Sequence, residues 1–393
     1  MSKTNTEVHA ETRSSRRESS WQTKPLEEVC NVEYGTRVVQ KRDGGKGFPV
    51  YGGGGATFEM DGFNREDRLV VARFGMSEEC TRFVAGRFFL NDSGLTVSPK
   101  NGAMHQRFLD YQMLALNDDI YALGKGTAQK NLDVPVFRTM PLFVPESLPE
   151  QQRIVGLLDE AFEGLATAKA NAEKNLQNAR ALFESHLQSV FTHRGPGWVE
   201  KTLKEVCEKI TDGTHQTPKY FDEGIVFLSS RNVTSGTIDW DRIKYIDTKQ
   251  HLEMHKRVAP RRNDILLAKN GTTGVAAIVD RDTTFDIYVS LALLRALPVM
   301  RPRFLLHFIN SPAAKIQFNK RLKGVGVPNL HLEEIREVRL SFPADLKAQD
   351  RVVAELDALS EETQRLARLY ERKLAALEAL KKSLLHQAFT GEL

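Results

Sequence analysis

The stretch from Pro149 to Thr192 constrains this chain more than any other. It holds no proline after Pro149 and stops at His193-Arg194-Gly195-Pro196-Gly197, a run that cannot continue a helix. Ile154, Leu158, Ala161, Leu165, Ala168, Ala172, Leu176, Ala179, Phe183, Leu187 and Val190 are apolar at steps of three and four residues. That spacing is one face of an α-helix. At about 1.5 Å per residue the helix would be roughly 65 Å long. The interior of a small domain is shorter than that, so the stripe needs a partner along its length.

The chain supplies one. Gln349-Asp350-Arg351-Val352-Val353 repeats Gln151-Gln152-Arg153-Ile154-Val155 at a shift of 198 residues. The same gapless shift maps Leu158 to Leu356, Leu176 to Leu374, Ser185 to Ser383, and Phe191-Thr192 to Phe389-Thr390. Upstream it maps Asn131-Leu132 to Asn329-Leu330 and Pro145 to Pro343. The chain is therefore a duplication in which each copy ends in a long amphipathic helix. Two such stripes bury each other best side by side. The expected order is a disordered polar tail over 1–20, a globular segment over 21–148 and a spacer helix over 149–193. A second globular segment follows over 194–345, and a C-terminal helix over 346–393. Antiparallel pairing of the helices would relate the copies by a pseudo-two-fold axis.

The globular segments read as α+β. Short β-rich runs such as Leu69-Val70-Val71-Ala72, Ile225-Val226-Phe227-Leu228 and Asp264-Ile265-Leu266-Leu267-Ala268 alternate with Gly-rich turns. Helical patterns fall at Arg107–Leu116 and Arg303–Arg321. Two places match between the copies. Arg73-Phe74-Gly75 lines up with Lys269-Asn270-Gly271, each a strand delivering a basic residue into a Gly turn. Gly124-Lys125-Gly126, with Lys130-Asn131-Leu132 after it, lines up with Leu322-Lys323-Gly324, with Pro328-Asn329-Leu330 after it. Elsewhere the copies diverge, as expected if each binds a different target on a shared frame.

Net charge is +4 over 393 residues, and 195–345 holds 23 basic against 18 acidic groups. That surplus suits a polyanionic partner. Cys30, Cys80 and Cys207 have no paired spacing and read as buried thiols in a reducing cytoplasm. There is no eighteen-residue apolar run, and the N-terminus is too polar for a secretory signal.

Thr211-Asp212-Gly213-Thr214-His215-Gln216-Thr217-Pro218-Lys219-Tyr220, the turn Pro49-Val50-Tyr51-Gly52-Gly53, the Gly-x-x-x-x-Asn-Leu loops, the two helix starts and the ending Ala388-Phe389-Thr390-Gly391-Glu392-Leu393 together resemble the specificity subunit of Type I restriction-modification systems. No single motif is decisive; their order from Trp21 onward is. The resemblance implies two target-recognition domains, each reading half of a split double-stranded DNA site. It implies helices that space the domains and dock two modification subunits. Those subunits would carry S-adenosylmethionine and the adenine methylation, and restriction subunits would bring ATP and Mg²⁺. On this reading the chain itself binds no cofactor and no metal. The candidate DNA contacts are Tyr51, Arg73, Lys125, Lys130, Thr214, His215, Lys219, Lys269, Asn270, Thr272, Lys323 and Asn329. Arg73 and Lys269 lead, because a basic side chain on a Gly turn can approach a groove closely; the bland alternative is a surface ion pair.

The residues independently argue against catalysis. None of the 15 prolines are adjacent, so the Pro-Pro turn that holds a flipped base is missing, and no Phe-x-Gly-x-Gly occurs. Gly45-Lys46 and Gly124-Lys125 are each followed by Gly, without the hydroxyl a P-loop needs. Gly52–Gly55 is either a phosphate cradle or a flexible turn. His251 and His255 stand at i, i+4, but Glu253 is misplaced for a zinc protease and no third ligand stands out. The neighbouring Lys256-Arg257 and Arg261-Arg262 suit phosphate contacts or a solvated face. His215 either touches DNA or ties its own loop through Asp212 and Thr214. The rival to DNA recognition is an interaction scaffold, two peptide-binding domains on a helical stalk.

Overall fold

The computed structural model describes residues 21–102, 104–192, 195–233, 236–271, 273–322, 329–390 and 392–393. The expected tail 1–20 lies outside them. Two compact units emerge, one reaching Asn171 and including Lys373–Leu393, the other Ala172–Arg372.

In the first unit the strands run β1 (Trp21–Pro25), β2 (Cys30–Tyr34), β3 (Phe48–Tyr51), β4 (Ala56–Met60), β5 (Arg65–Ala72), β6 (Thr81–Leu90), β7 (Gly94–Pro99), β8 (Gly124–Lys125), β9 (Asn131–Leu132) and β10 (Pro141–Pro145). Six of them form a mixed sheet in the order β2-β7-β5-β6-β3-β4, with β3 and β6 parallel. The apolar end of β5, Leu69 to Ala72, is fully buried, which is why this run forms an interior strand. The Gln106–Ala115 helix covers that face and buries Phe108, Leu109 and Met113.

In the second unit β11 (Trp198–Thr202), β12 (Cys207–Asp212), β13 (Ile225–Leu228), β14 (Lys244–Ile246), β15 (Ile265–Ala268), β16 (Ala276–Ile278), β17 (Phe285–Ile287), β18 (Leu291–Ala296) and β19 (Arg339–Pro343) follow. They make a four-stranded sheet, β12-β18-β15-β16, and a three-stranded one, β14-β13-β17. The helical pattern over Arg303–Arg321 resolves into two helices, Pro302–Asn310 and Pro312–Asn319. Pro312 has no N–H to give, and Ser311 caps the second helix by accepting from Ala314 N–H at 3.2 Å.

Each unit carries the same clasp. β1 pairs antiparallel with β10, Trp21 opposite Pro145, and β11 with β19, Trp198 opposite Pro343. The repeated glutamines lock it to the helix start. Gln151 accepts from His105 N–H at 2.7 Å and donates to Pro145 O at 3.2 Å. Gln349 accepts from Arg301 N–H at 2.8 Å and donates to Pro343 O at 2.9 Å. Both side chains are wholly buried, so each amide satisfies main-chain groups that water cannot reach.

The two long helices are Leu148–Thr192 and Leu346–Thr390, 45 residues each. Within each unit their segments run antiparallel. In the first, Arg153 donates to Leu393 O at 3.0 Å and Lys381 lies over the Phe162 ring at 5.7 Å. In the second, Arg180 meets Glu371 at 2.8 Å and His186 meets Glu355 at 3.0 Å. The repeated Phe-Thr ending has a packing reason. Phe389 is edge-on to Phe108 at 5.1 Å, and Phe191 is edge-on to Phe304 and Phe308, each at 5.4 Å.

All three cysteines are free and buried. Burial pushes the thiols of Cys30 and Cys207 up to about 12 and that of Cys80 up to about 11. Thiolate is therefore scarce at neutral pH. Native protein is expected to resist iodoacetamide at all three positions and to react only after denaturation; rapid native labelling, read by mass spectrometry, would contradict the burial. No helix among the described residues is long and apolar enough to cross a membrane.

Candidate functional site

The matched strand ends are held by the same main-chain bonds in both units. Arg73 N–H donates to Ser93 O at 2.8 Å, and Leu132 N–H donates to Arg73 O at 2.8 Å. Phe74 forms a β-bridge to Asn131, and Gly75 turns the chain at φ +61°. In the second unit Lys269 N–H donates to Ser290 O at 3.0 Å and Leu330 N–H to Lys269 O at 2.9 Å. Asn270 bridges Asn329, and Gly271 turns at φ +75°. The positive φ is why glycine stands at both turns. The Asn-Leu pairs that end the two Gly-x-x-x-x-Asn-Leu motifs, Asn131-Leu132 and Asn329-Leu330, are thus the partners of the basic strand ends.

The side chains on this frame differ. Arg73 lies between the rings of Tyr34, at 4.8 Å, and Phe74, at 4.4 Å. Its Nη1 donates to Asp92 O at 3.4 Å. It borders an open depression of about 620 Å³ with Tyr34, Lys125, Asn131 and Asp133. Lys125 sits 2.5 Å from Asp133, and their hydrogen bond holds the Asp133 carboxyl below the usual carboxylate range. Lys130 stacks over Tyr121 at 3.8 Å. Arg73, Lys125 and Asn131 are brought together. Tyr51 is not among the residues bordering the depression; it packs edge-on against buried Phe88 at 5.5 Å. Gly52 and Gly53 serve close packing: a Cβ at Gly53 would sit 2.6 Å from Phe74 O, and one at Gly52 would meet Ser93 Oγ at 2.2 Å.

Lys269 departs from what its sequence suggested. Its side chain is 7% exposed, and its ammonium lies 3.3 Å from Asp212. The strand end delivers this cation to a carboxylate of its own unit, because Asp212 at the end of β12 is itself buried and needs charge compensation. Asp212 also accepts from Arg257 Nη2 at 2.6 Å and lies 3.3 Å from His215 Nε2. Burial pushes its carboxyl up, but Arg257, Lys269 and His215 outweigh that and hold it below the usual range. His215 is exposed on this cluster. Thr214 is fixed by its backbone, which donates to Ile287 O at 3.0 Å and accepts from Val289 N–H at 2.9 Å. The chain approaches so closely here that a Cβ at Gly213 would sit 1.9 Å from Ile287 O. Lys219 is exposed, and its backbone is clamped by Gln250, which donates to Lys219 O at 3.0 Å and accepts from Lys219 N–H at 2.9 Å. Asn270 and Asn329 each carry a buried Oδ1 without a hydrogen-bond partner among the described residues. Thr272 and Lys323 lie outside the described residues.

Of the basic pairs singled out in the sequence, Arg257 is committed to Asp212, Arg261 pairs with Glu208 at 3.5 Å, and Arg262 pairs with Asp282 at 3.3 Å. Tyr34 and Asp133 escaped the sequence reading. Tyr34 meets Arg73 from a strand distant in sequence, so no local signal marks it, while Asp133 faces Lys125 beside the short β8–β9 hairpin.

The model of the Type I restriction modification DNA specificity domain matches residues 18–176 and again 196–372. The Type I restriction enzyme EcoBI specificity subunit of Escherichia coli is 24% identical over 332 residues, 77% of this chain and 69% of that protein. A putative type I restriction enzyme specificity subunit of Haemophilus influenzae is 24% identical over 352 residues, 85% of this chain and 86% of its own length. Among solved structures, a chain from work on complex assembly and conformational transition of the type I R-M system has a TM-score of 0.75 at 18% identity, covering 95% of this chain and 98% of that one. The HsdS subunit of Thermoanaerobacter tengcongensis has a TM-score of 0.54 at 19% identity, covering 95% and 97%. The shared fold includes the duplication and the mixed helices and strands described above.

Proposed function

This chain belongs to the Type I restriction modification DNA specificity family, and on that premise we propose that it is the non-catalytic subunit that gives such a complex its DNA sequence. Each unit reads one half of a bipartite site. The observation that carries this reading is the duplicated frame: Phe74 bridged to Asn131 and Asn270 to Asn329, with different side chains mounted on the same main chain. One scaffold with two sets of reading groups suits a split, asymmetric target. The scaffold of two peptide-binding domains is not favoured, because the family match covers both units.

In the first unit Arg73 is the leading reading group. Its flanking rings restrict the guanidinium and spare part of the ordering cost on binding. In the second unit the exposed groups on the 212–220 loop, His215 and Lys219, take that part, while Lys269 and Arg257 hold the loop through Asp212. The long helices present apolar side chains to solvent, Leu157, Leu182, Leu369 and Leu380, as surface for the modification and restriction subunits. S-adenosylmethionine, ATP and Mg²⁺ belong to those partners in this reading, and the adenine is extruded into the modification subunit's pocket.

A gel-shift series tests the proposal. The chain co-expressed with its modification subunit is expected to bind a cognate duplex with an affinity that falls steeply as salt rises. The purified chain alone is expected to transfer no methyl group. Salt-insensitive binding, or methylation by the chain alone, contradicts the reading.

A further inference from the structure

The second unit holds a cluster that DNA reading does not use. His251 and His255 stand one turn apart on the Thr248–Arg257 helix, with ring centroids 4.6 Å apart. Both turn Nδ1 toward Asp286 of β17. His251 Nδ1 is 2.7 Å from one carboxylate oxygen, and His255 Nδ1 is 3.0 Å from the other. Asp286 is 1% exposed, and among the described residues no Lys or Arg pairs with it. The ligand atoms of the three side chains all lie within 4.8 Å of one another.

We infer that His251, His255 and Asp286 form a binding site for one zinc-class divalent cation. Burying an ionised carboxylate without a compensating charge is costly. The two imidazole nitrogens that face it are ligand atoms, and a dication held between them and the carboxylate would supply that charge. Two nitrogens and one oxygen are a ligand set zinc accepts, with a fourth position left for water. The His255 side chain is 32% exposed, which leaves a path for the ion and room for that water. Zinc bonds of about 2.0–2.1 Å in tetrahedral array put ligand atoms about 3.3 Å apart. Each Nδ1 faces a different carboxylate oxygen, so an ion taking one oxygen would draw the second imidazole toward it, within the 4.8 Å that already spans the ligand atoms. Each imidazole would then carry its proton on Nε2, leaving Nδ1 free to bind.

The position gives the ion a task. The same helix carries Gln250, which clamps the Lys219 backbone, and Arg257, which holds Asp212. A metal tying this helix to β17 fixes both ends of the 212–220 loop from behind. The inference stands on these contacts alone and does not depend on what the loop binds.

The test uses the full-length chain stripped by a chelator. Zinc titrated against a chromophoric competitor is expected to bind at one equivalent per chain and to raise the thermal midpoint. Cobalt in its place is expected to give the visible bands of a four-coordinate nitrogen and oxygen site, with no thiolate charge-transfer band. H251Q/H255Q should lose that equivalent while keeping the wild-type far-ultraviolet circular dichroism. If the double variant fails to fold, H255Q alone, which keeps the His251 hydrogen bond, decides in the same way. Wild-type protein that takes up no zinc overturns the inference. So does zinc held equally by the folded histidine variant, or a thiolate band that assigns the metal to a cysteine.

Discussion

Asp212→Asn is expected to destabilise the second unit by about 3–5 kcal/mol, the usual cost of removing one partner from a buried ion pair. The amide keeps the shape but not the charge. It leaves the Lys269 ammonium, 7% exposed, without a counter-ion and turns the 2.6 Å contact with Arg257 from an ion pair into a hydrogen bond to a neutral acceptor. Urea unfolding followed in the second unit measures it. Lys269→Met placed on the Asp212→Asn background should recover part of the loss, because a buried cation is then replaced by an apolar chain of similar length. The pH dependence follows from the direction of the Asp212 shift. Its folded pKa is lowered relative to about 3.9 for an unfolded aspartate. The stability it contributes is therefore complete above that unfolded value and is lost as pH falls through the lower folded value. The wild type should lose stability in that acid window, and the variant should show a shallower loss there. An unchanged urea midpoint for Asp212→Asn would mean that the cluster does not hold the loop.

Arg73→Ala is expected to weaken binding by about 1–3 kcal/mol, roughly 5- to 150-fold, and to leave the second half-site untouched. The variant should fold normally, since the strand end is held by main-chain bonds to Ser93 and Leu132 that the substitution keeps. If Arg73 reads a base, discrimination relaxes at one position of one half-site. If it meets a phosphate, all sequences weaken alike and the salt slope falls by about one. Gel shifts with single-base variants of the target separate these outcomes. Wild-type affinity and discrimination in Arg73→Ala would remove this loop from the interface. Lys269→Ala, at the equivalent position, is expected to act differently: it lowers the stability of the second unit first and affects binding only through the 212–220 loop.

That contrast shows where sequence reading stops. Arg73 and Lys269 occupy the same place on the same repeated frame, each with matching bonds at its N–H and carbonyl and each followed by a residue bridged to an asparagine. Their environments are opposite. Arg73 has two aromatic rings and an open depression, and Lys269 has a buried aspartate, because Asp212 arrives from a strand 57 residues earlier. The helix reading missed one break for a local reason: Pro312 ends one helix and starts another inside an otherwise periodic run. It missed Asp286 for a non-local one. His251 and His255 announce themselves by spacing, but their third neighbour lies on a strand 31 residues beyond His255, and no periodicity connects them.

What the sequence determined by itself was the duplication, the two long helices and the positions of the paired loops. Each is written in a one-dimensional regularity: a period near 3.6 for the helices, a gapless shift for the copies, glycine where φ must be positive. The tertiary structure alone decided which charged groups reach solvent and which are spent inside. That depends on what faces each side chain across the sheet, and a buried carboxylate recruits whatever cations the fold brings within reach. Asp212 captured Lys269 and Arg257 in this way, and left the exposed edge of the second unit to His215 and Lys219.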